Sequence, residues 1–511
     1  MAARIVSSNP RLQLLGPCMN AYILALLLCT GPRIATVLVS LGKGKLGPRE
    51  IARQLLALIR HEAAPHRFPA SCATLVGGST LLQIPIRALL AAVLPTSARP
   101  ALNTRQHRRV VAFVAALISA SLSFRLLNSV PSSARLQQAN PPNEHEDGTS
   151  HLIDPFKDPP EPRPDYLDHA EPNASSLSRV DLAGRTMDLT LFAAVRALDI
   201  VVTAGWKRLS PSRSRKLRVV RKVAPTALFC FSAATIMHAW FYTPLRLPRA
   251  YNRWISAAAE LDQRLLTVLR HARYGNFIYG KDTGMAPLLG SMCRDYGFPE
   301  VWGDPCKTVP VPCELVHMGQ GPNCEKHALW RFWRGWFFAA RMYAPLKLFV
   351  LVRQAIQHRR SWGKYRLEAL PPTLLRALIE VARNSAFLGA FISFFYYGVC
   401  LSRTRLGPKV FSSKTVTPQM WDSGLCVLAG SLLCGPSILV EQAKKRMEIL
   451  LFVLPRAAAV WFPRRYLIQH RWKEQLAFSL SAALILTAAQ EDPRLVRGML
   501  GRLLGKLLKV D

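Results

Sequence analysis

Apolar residues gather into ten blocks along the chain, at approximately 19–41, 70–95, 109–128, 186–205, 224–244, 334–354, 384–402, 421–440, 447–462 and 475–490. About 20 helical residues cross the ~30 Å hydrocarbon core of a bilayer, so blocks of this length predict helices that cross a membrane or lie within one. The expected fold is therefore an all-α polytopic membrane protein with about ten membrane-embedded helices. Arg33, Arg87, Arg196, Asp199, Arg341, Lys347 and Arg456 fall inside or near the ends of these blocks, and the last two blocks are short for a full crossing. Charged residues are costly against lipid, so such helices pack on one another or line a wet cavity. A compact bundle follows. The first block comes after a polar start with Arg4 and Arg11, lacks a small-residue cleavage site, and reads as a retained span.

The pattern breaks between the third and fourth blocks. From Pro131 to Asp181 the chain is rich in Pro, Asp, Glu, Ser and Asn, as in residues 141–147 and 158–165. Such a stretch buries too little apolar surface to offset its conformational entropy and predicts a disordered acidic loop. It holds Asn173-Ala174-Ser175, a formal glycosylation acceptor that reads as an unmodified sequon.

The blocks also resemble one another. Residues Met187–Ala197 align with Met447–Ala457 at an offset of 260, with Met, Leu, Phe, Arg and Ala identical and Asp188 matched by Glu448. Phe229, Ser232, Ala233, Ala234 and Ile236 match Phe478, Ser481, Ala482, Ala483 and Ile485 at an offset of 249; Pro32, Val37, Leu38 and Val39 match Pro345, Val350, Leu351 and Val352 at 313. Self-similarity of this kind predicts a duplication. Residues 19–244 and 334–490 are expected to be two copies of a unit of about five helices. Five crossings is an odd number, which makes the halves an inverted repeat. The resulting division is 1–130 and 182–244 for the first half, 131–181 for the acidic loop, 245–333 for a Cys-rich insert, 334–490 for the second half and 491–511 for a basic amphipathic tail. Ser385, Gly389 and Ser393, then Ser431 and Gly435, recur every four residues and predict close helix packing.

Charge sharpens this picture. The 511 residues include 67 Lys+Arg and 31 Asp+Glu, a formal net charge of +36. The bases sit in short stretches beside apolar blocks, as at Lys207, Arg208, Arg213, Arg215, Lys216, Arg218, Arg221 and Lys222, in the manner of juxtamembrane loops rather than of a nucleic-acid surface. The expected surroundings are a lipid bilayer, with no nucleic acid. Gly42-Lys-Gly44-Lys-Leu-Gly47 satisfies G-x-G-x-x-G, but no βαβ pattern follows, so no nucleotide is expected. Walker A, G-x-S-x-G, H-E-x-x-H and kinase signatures do not occur, and no enzyme is predicted. Leu495, Met499, Leu503, Leu504 and Leu508 form an apolar stripe on a basic C-terminal helix that is expected to lie on an anionic membrane surface, the alternative being docking on the bundle.

Two groups carry candidate chemistry. Arg196 and Asp199 share a helix face and can neutralise one another within the bundle, with Arg456 as the counterpart of Arg196 in the second half. They read as a structural pair, or as a polar site for an anion or lipid head group. In the insert, Cys313-x3-His317-x6-Cys324-x2-His327 offers two sulfur and two nitrogen ligands suited to tetrahedral zinc, with Cys293 and Cys306 as alternatives. Disulfides and simple packing are equal rivals. Tyr296-Gly297-Phe298-Pro299 and Trp302-Gly303-Asp304-Pro305 add turn-formers and aromatics, which predict an ordered cap.

Cys293-x2-Tyr296-Gly297-x-Pro299, Trp302-x-Asp304-Pro305, Pro312-Cys313-x3-His317, Cys324-x2-His327, Arg331-Phe332-x2-Gly335 and Met342-Tyr343-x-Pro345 resemble the cysteine-rich region of the transmembrane protein 135 family, which includes fungal peroxisomal membrane proteins. Asn384–Gly389 and Leu454–Ala457 resemble the family's downstream membrane part, which is similar in turn to the channel-forming subunits of mitochondrial inner-membrane translocases. The resemblance covers most of 290–460. It implies a multi-span protein of the peroxisomal membrane, or failing that the mitochondrial one, with a non-enzymatic role in organelle dynamics and lipid homeostasis. Its implied partners are organelle import or division factors. A transporter or channel for lipids or metabolites is the alternative. The resemblance implies no catalytic residue.

Overall fold

The computed structural model describes residues 10–42, 47–93, 104–129, 182–208, 215–359 and 370–508. The acidic loop with its sequon, the centre of the glycine motif at 43–46 and residues 209–214 of the basic loop lie outside the described residues. The principal helices are α1 (Pro10–Gly42), α2 (Pro48–Glu62), α3 (Phe68–Leu81), α4 (Gln83–Val93), α5 (Arg105–Leu127), α6 (Met187–Arg208), α7 (Arg215–Tyr242), α8 (Arg249–Ala259), α9 (Gln263–Tyr274), α10 (Ala286–Asp295), α11 (Cys324–Arg359), α12 (Leu370–Cys400), α13 (Cys426–Cys434), α14 (Ala443–Trp461), α15 (Arg471–Glu491) and α16 (Gly498–Leu508). Among the described residues the extended pairing is a two-residue antiparallel bridge, Leu182–Ala183 with Tyr466–Leu467. The all-α reading holds.

Eight helical segments among the described residues are long and apolar enough to cross a membrane: Leu15–Val37, Phe68–Val93, Arg105–Leu127, Met187–Trp206, Arg218–Tyr242, Cys324–Gln354, Thr373–Val410 and Pro418–Val440. By length and composition these mark an integral membrane protein. The last two of the ten expected blocks are helical but are not among the eight. Lys444, Lys445, Arg446 and Glu448 load the start of α14, while Glu474, Gln475, Gln490 and Glu491 make both ends of α15 polar.

The chain folds into two compact units whose membership does not follow the division expected along the sequence. The first draws on the described residues of Met1–His145, Pro162–Arg213 and Pro463–Asp511; the second is Ser214–Phe462. In the first unit α1 packs on α3, α3 on α5, and α15 lies against both α5 and α6. Phe478, Ala482, Ala483 and Ala489 of α15 share its core with Ala116, Ala120 and Phe124 of α5 and Ala193 and Ala197 of α6. Burial of this apolar face assigns α15 to the first unit although the sequence division put it in the second half. Glu474 of α15 is buried there and accepts hydrogen bonds from Thr186 Oγ1 (2.6 Å), Thr190 Oγ1 (3.0 Å) and the Tyr466 hydroxyl, which satisfies a carboxylate that would otherwise be costly to desolvate. Arg105 and Arg109 reach Glu491 at the other end of the helix; hydrogen bonding from Arg109 leads the interactions that hold the Glu491 carboxyl below its usual range.

The second unit has α11 on α12, α12 on α13, and α7 against α13 and α14. Glycines let these helices approach closely. A Cβ on Gly335 would stand 3.2 Å from Gly389 Cα, one on Gly398 would stand 2.9 Å from Gly430 Cα, and one on Gly435 would stand 2.7 Å from Cys230 Cα. The four-residue stripes at 385–393 and 431–435 therefore include the packing faces that their spacing predicts: Ser393 Oγ donates across to Ala328 O at 2.8 Å.

The tail from 491 docks rather than lying free. Leu495, Leu500 and Leu508 pack on the first unit's core and Leu504 is buried within it, although Met499 remains exposed. This is the docking that stood as the alternative to a helix lying on the membrane surface. Leu495, Leu504 and Leu508 of the apolar stripe find cover within their own unit.

Candidate functional site

The insert is an ordered cap between α8 and α11. Asp262 caps α9 by accepting from Arg264 N at 2.9 Å, and Gly275 ends the helix at φ 77°, a conformation that costs a glycine little. Gly303 passes so close to α10 that a Cβ there would lie 2.4 Å from Gly290 N, and Phe298 stacks on Trp302 at 5.1 Å. The turn-rich motifs of the insert thus build a fixed platform.

From that platform Cys313 and His317 meet Cys324, the first residue of α11. The ligand atoms of these three lie within 4.8 Å of one another, with His317 and Cys324 buried. They form a Cys-His-Cys group of metal-binding character. His317 Nδ1 lies 2.7 Å from Gly321 O, so this nitrogen carries a proton and donates it to the carbonyl. Nε2 faces Cys400 Sγ at 3.3 Å, where α12 ends. A hydrogen bond from Cys400, helped by Thr404 and nearby Arg403 and His317, outweighs burial and holds the Cys313 thiol well below its ordinary range, which favours the thiolate.

His327, the second nitrogen ligand expected from the sequence, lies outside this group. Its ring stacks on His317 at 4.4 Å between centroids, and its Nε2 faces Arg331 Nε at 3.4 Å. Arg331 is itself buried, donates to Ala259 O at 3.0 Å at the end of α8, and stands 4.2 Å over the Tyr396 ring. A cation at a helix C-terminus is favourably placed, so the Arg331 motif has a structural role here. All eleven cysteines are free thiols, and Cys293 and Cys306 are not in the three-residue group.

A second polar centre lies beside the first. Arg403 and Asp422 form a buried ion pair, their side chains 4% and 5% exposed, each within a π-helical turn, Leu401–Arg405 and Trp421–Leu425. Arg403 Nη2 also donates to Val311 O at 2.8 Å, the Tyr279 hydroxyl donates to Asp422, and Val311 N donates to Tyr279 Oη at 3.1 Å. Burial and the neighbouring carboxylate push the Tyr279 phenol up, so it stays a neutral donor. The network ties the cap at 279 and 311 to the ends of α12 and α13. π-Turns recur at functional positions, and here two of them deliver the charges.

The second unit also holds an open cavity of about 650 Å³ among α7, α8, α11, α12 and α14. Phe229, Trp240, Trp254, Phe391 and Phe452 give it an aromatic wall, and its charged lining residues are Glu448 and Arg456. They stand eight residues apart on α14, or about 12 Å along the axis. The Arg456 guanidinium lies 3.7 Å from the Phe452 ring centroid and 5.1 Å from that of Tyr251, and it donates to Phe452 O. Arg196 stands in the same way over Phe192, at 5.3 Å. Asp199 is ion-paired with Arg497 at 3.1 Å, and Arg196 donates to the carbonyl of Arg497 at 3.4 Å. The two residues thus converge on the turn before α16.

Reading the sequence alone missed Cys400, Arg403, Asp422 and Tyr279. Asp422 had a visible signal, a lone acid in an apolar block, whereas Cys400 is indistinguishable there from a packing residue. Comparison of the chain with protein-family models, curated proteins and solved structures returns no match.

Proposed function

We propose that this integral membrane protein handles lipids, taking an acyl chain with an anionic head into the cavity of the second unit. The observation that carries this reading is the cavity itself. Its volume falls within the ~300–1,000 Å³ of small-molecule sites, its wall is aromatic, and Arg456 offers a guanidinium for a carboxylate or phosphate. The resemblance to the transmembrane protein 135 family favours a peroxisomal, or otherwise mitochondrial, membrane and a role in lipid homeostasis and organelle dynamics. Zinc at the Cys313–His317–Cys324 group is the cofactor reading, because two thiolates and an imidazole suit that ion and no redox chemistry is called for.

The purified protein should be photolabelled by a diazirine-bearing long-chain fatty acid on peptides of α7 and α14. Arg456→Gln should weaken labelling by about 10-fold or more, the worth of a charge-assisted hydrogen bond. Ala233→Trp, which fills the cavity, should abolish it. Undiminished labelling of both variants would reject the cavity as the binding site.

Three correspondences support the duplication on which the inverted-repeat reading rests. The packing order α1–α3–α5 with α15 across α5 and α6 parallels α11–α12–α13 with α7 across α13 and α14. Arg196 over Phe192 parallels Arg456 over Phe452 at the offset of 260. Pro244–Arg246 and α8 parallel Pro493–Leu495 and α16 at the offset of 249, with Leu247 and Val496 buried alike. The duplication accordingly runs on through 259, and the insert proper begins there. In this reading each copy lends its fifth helix to the other's unit. Protease protection on isolated peroxisomes and mitochondria, with epitope tags near residues 150, 214 and 310 and at the C-terminus, should place the tags at 150 and 310 on one side and the other two on the opposite side. Tags at 150 and 214 on the same side would exclude five crossings per copy.

A further inference from the structure

We infer that Cys400 is the fourth ligand of a closed Cys3His zinc site formed with Cys313, His317 and Cys324, an inference that rests on the zinc reading above. Cys400 Sγ stands 3.3 Å from His317 Nε2, at the end of α12. With Zn–S about 2.3 Å and Zn–N about 2.0 Å, a tetrahedral site has S···N edges of about 3.5 Å and S···S edges of about 3.8 Å. The thiol–imidazole approach here is already near the first value. His317 is oriented for it, since its Nδ1–H is committed to Gly321 O and directs Nε2 at the sulfurs.

The surroundings fit the charge of such a centre. In the bound site all three sulfurs are thiolates, any protons they carried passing to solvent, which leaves one net negative charge on the site. The positive charges of Arg403 and Arg405, themselves paired with Asp422 and Glu325, act on Cys313 and Cys324 respectively, and Cys324 opens α11 at the positive end of that helix. Thr404 Oγ1 lies 3.7 Å from Cys313 Sγ and donates to Cys400 O at 2.7 Å, so one hydroxyl braces two of the ligand residues. Cys400, Cys324 and His317 are buried. Four protein ligands leave no open position, so this is a structural site and not a hydrolytic one. Its work is mechanical. Cys313 and His317 belong to the cap, Cys324 begins α11 and Cys400 ends α12, and one ion fastens all three.

His327 is the competing ligand, because its Nδ1 is buried without a hydrogen-bond partner. X-ray absorption at the zinc edge of the full-length protein, purified in detergent, separates the two assignments without any mutation. Three sulfurs and one nitrogen are expected; two of each would overturn the role of Cys400. Zinc titration should then show Cys400→Ser losing more affinity than the ~10–100-fold that an outer-shell partner is worth, with His327→Asn within that range. Equal zinc affinity in Cys400→Ser and the parent would overturn this inference while leaving the zinc reading intact. A parent protein that takes up no zinc, or that carries a Cys313–Cys324 disulfide, would overturn both.

Discussion

Asp422→Asn should destabilise the second unit by about 3–5 kcal/mol, read as a loss of thermal stability in detergent. The carboxylate is the partner of a guanidinium that is almost fully buried and that donates to both of its oxygens, and the amide that replaces it keeps one acceptor oxygen and bears no charge. Most of the loss is the cost of leaving Arg403 charged and uncompensated, not the intrinsic worth of the pair. The control follows from that distinction. Arg403→Met combined with Asp422→Leu removes both charges and should restore much of the stability, since apolar replacements of a buried pair are often neutral or better. A double variant no more stable than Asp422→Asn would show that the network's hydrogen bonds to Val311 and Tyr279 matter more than charge compensation.

Gly430→Val should part α12 from α13 at a cost of about 3 kcal/mol, the upper part of the range for overpacking. A Cβ at 430 would come within 2.7 Å of the Phe395 carbonyl oxygen and 2.9 Å of Val399 Cγ2, and valine adds two methyl groups beyond it. Neither contact can relax by rotating a long side chain. A shift to lower melting temperature and a broadened size-exclusion peak are the expected readouts. Gly275→Ala, at a helix end with open space around it, provides a comparison in which only left-handed backbone strain is introduced. If Gly430→Val melted with the parent protein, close helix packing at this crossing would be refuted.

Helix positions were largely legible because apolar blocks of membrane length leave few alternatives to helix. The glycine and serine stripes were legible for the same reason, since spacing of four puts Gly389 and Ser393 on one face. What the sequence did not reveal was partnership. Nothing local in residues 475–490 says that they bury against α5 and α6 instead of against the helix immediately before them. The Cys-His-Cys group was legible, because Cys313, His317 and Cys324 are close in sequence, whereas Cys400, which faces His317, comes near it only through the packing of α12 on α11. His327 had the right spacing, but its ring is occupied in stacking on His317. Arg196 and Asp199 were read as a pair from their separation of three, yet the acid's ion pair is with Arg497, whose approach depends on the docking of α16.

The grouping of helices also sets an order of assembly. Residues 214–462 are continuous, so the second unit has every helix it needs once α14 has been synthesised. The first unit does not. Its α5 waits for α15, and the bond between Arg105 and Glu491 closes a separation of 386 residues. Until α15 arrives, the faces of α5 and α6 around Ala116, Phe124 and Ala193 are bare, and loop-closure entropy and exposure to wrong partners both act against them. A ribosome that stalled or a transcript that stopped before residue 471 would therefore leave the earlier-made helices as the incomplete part, and quality control should recognise such a truncation by the beginning of the chain rather than by its broken end.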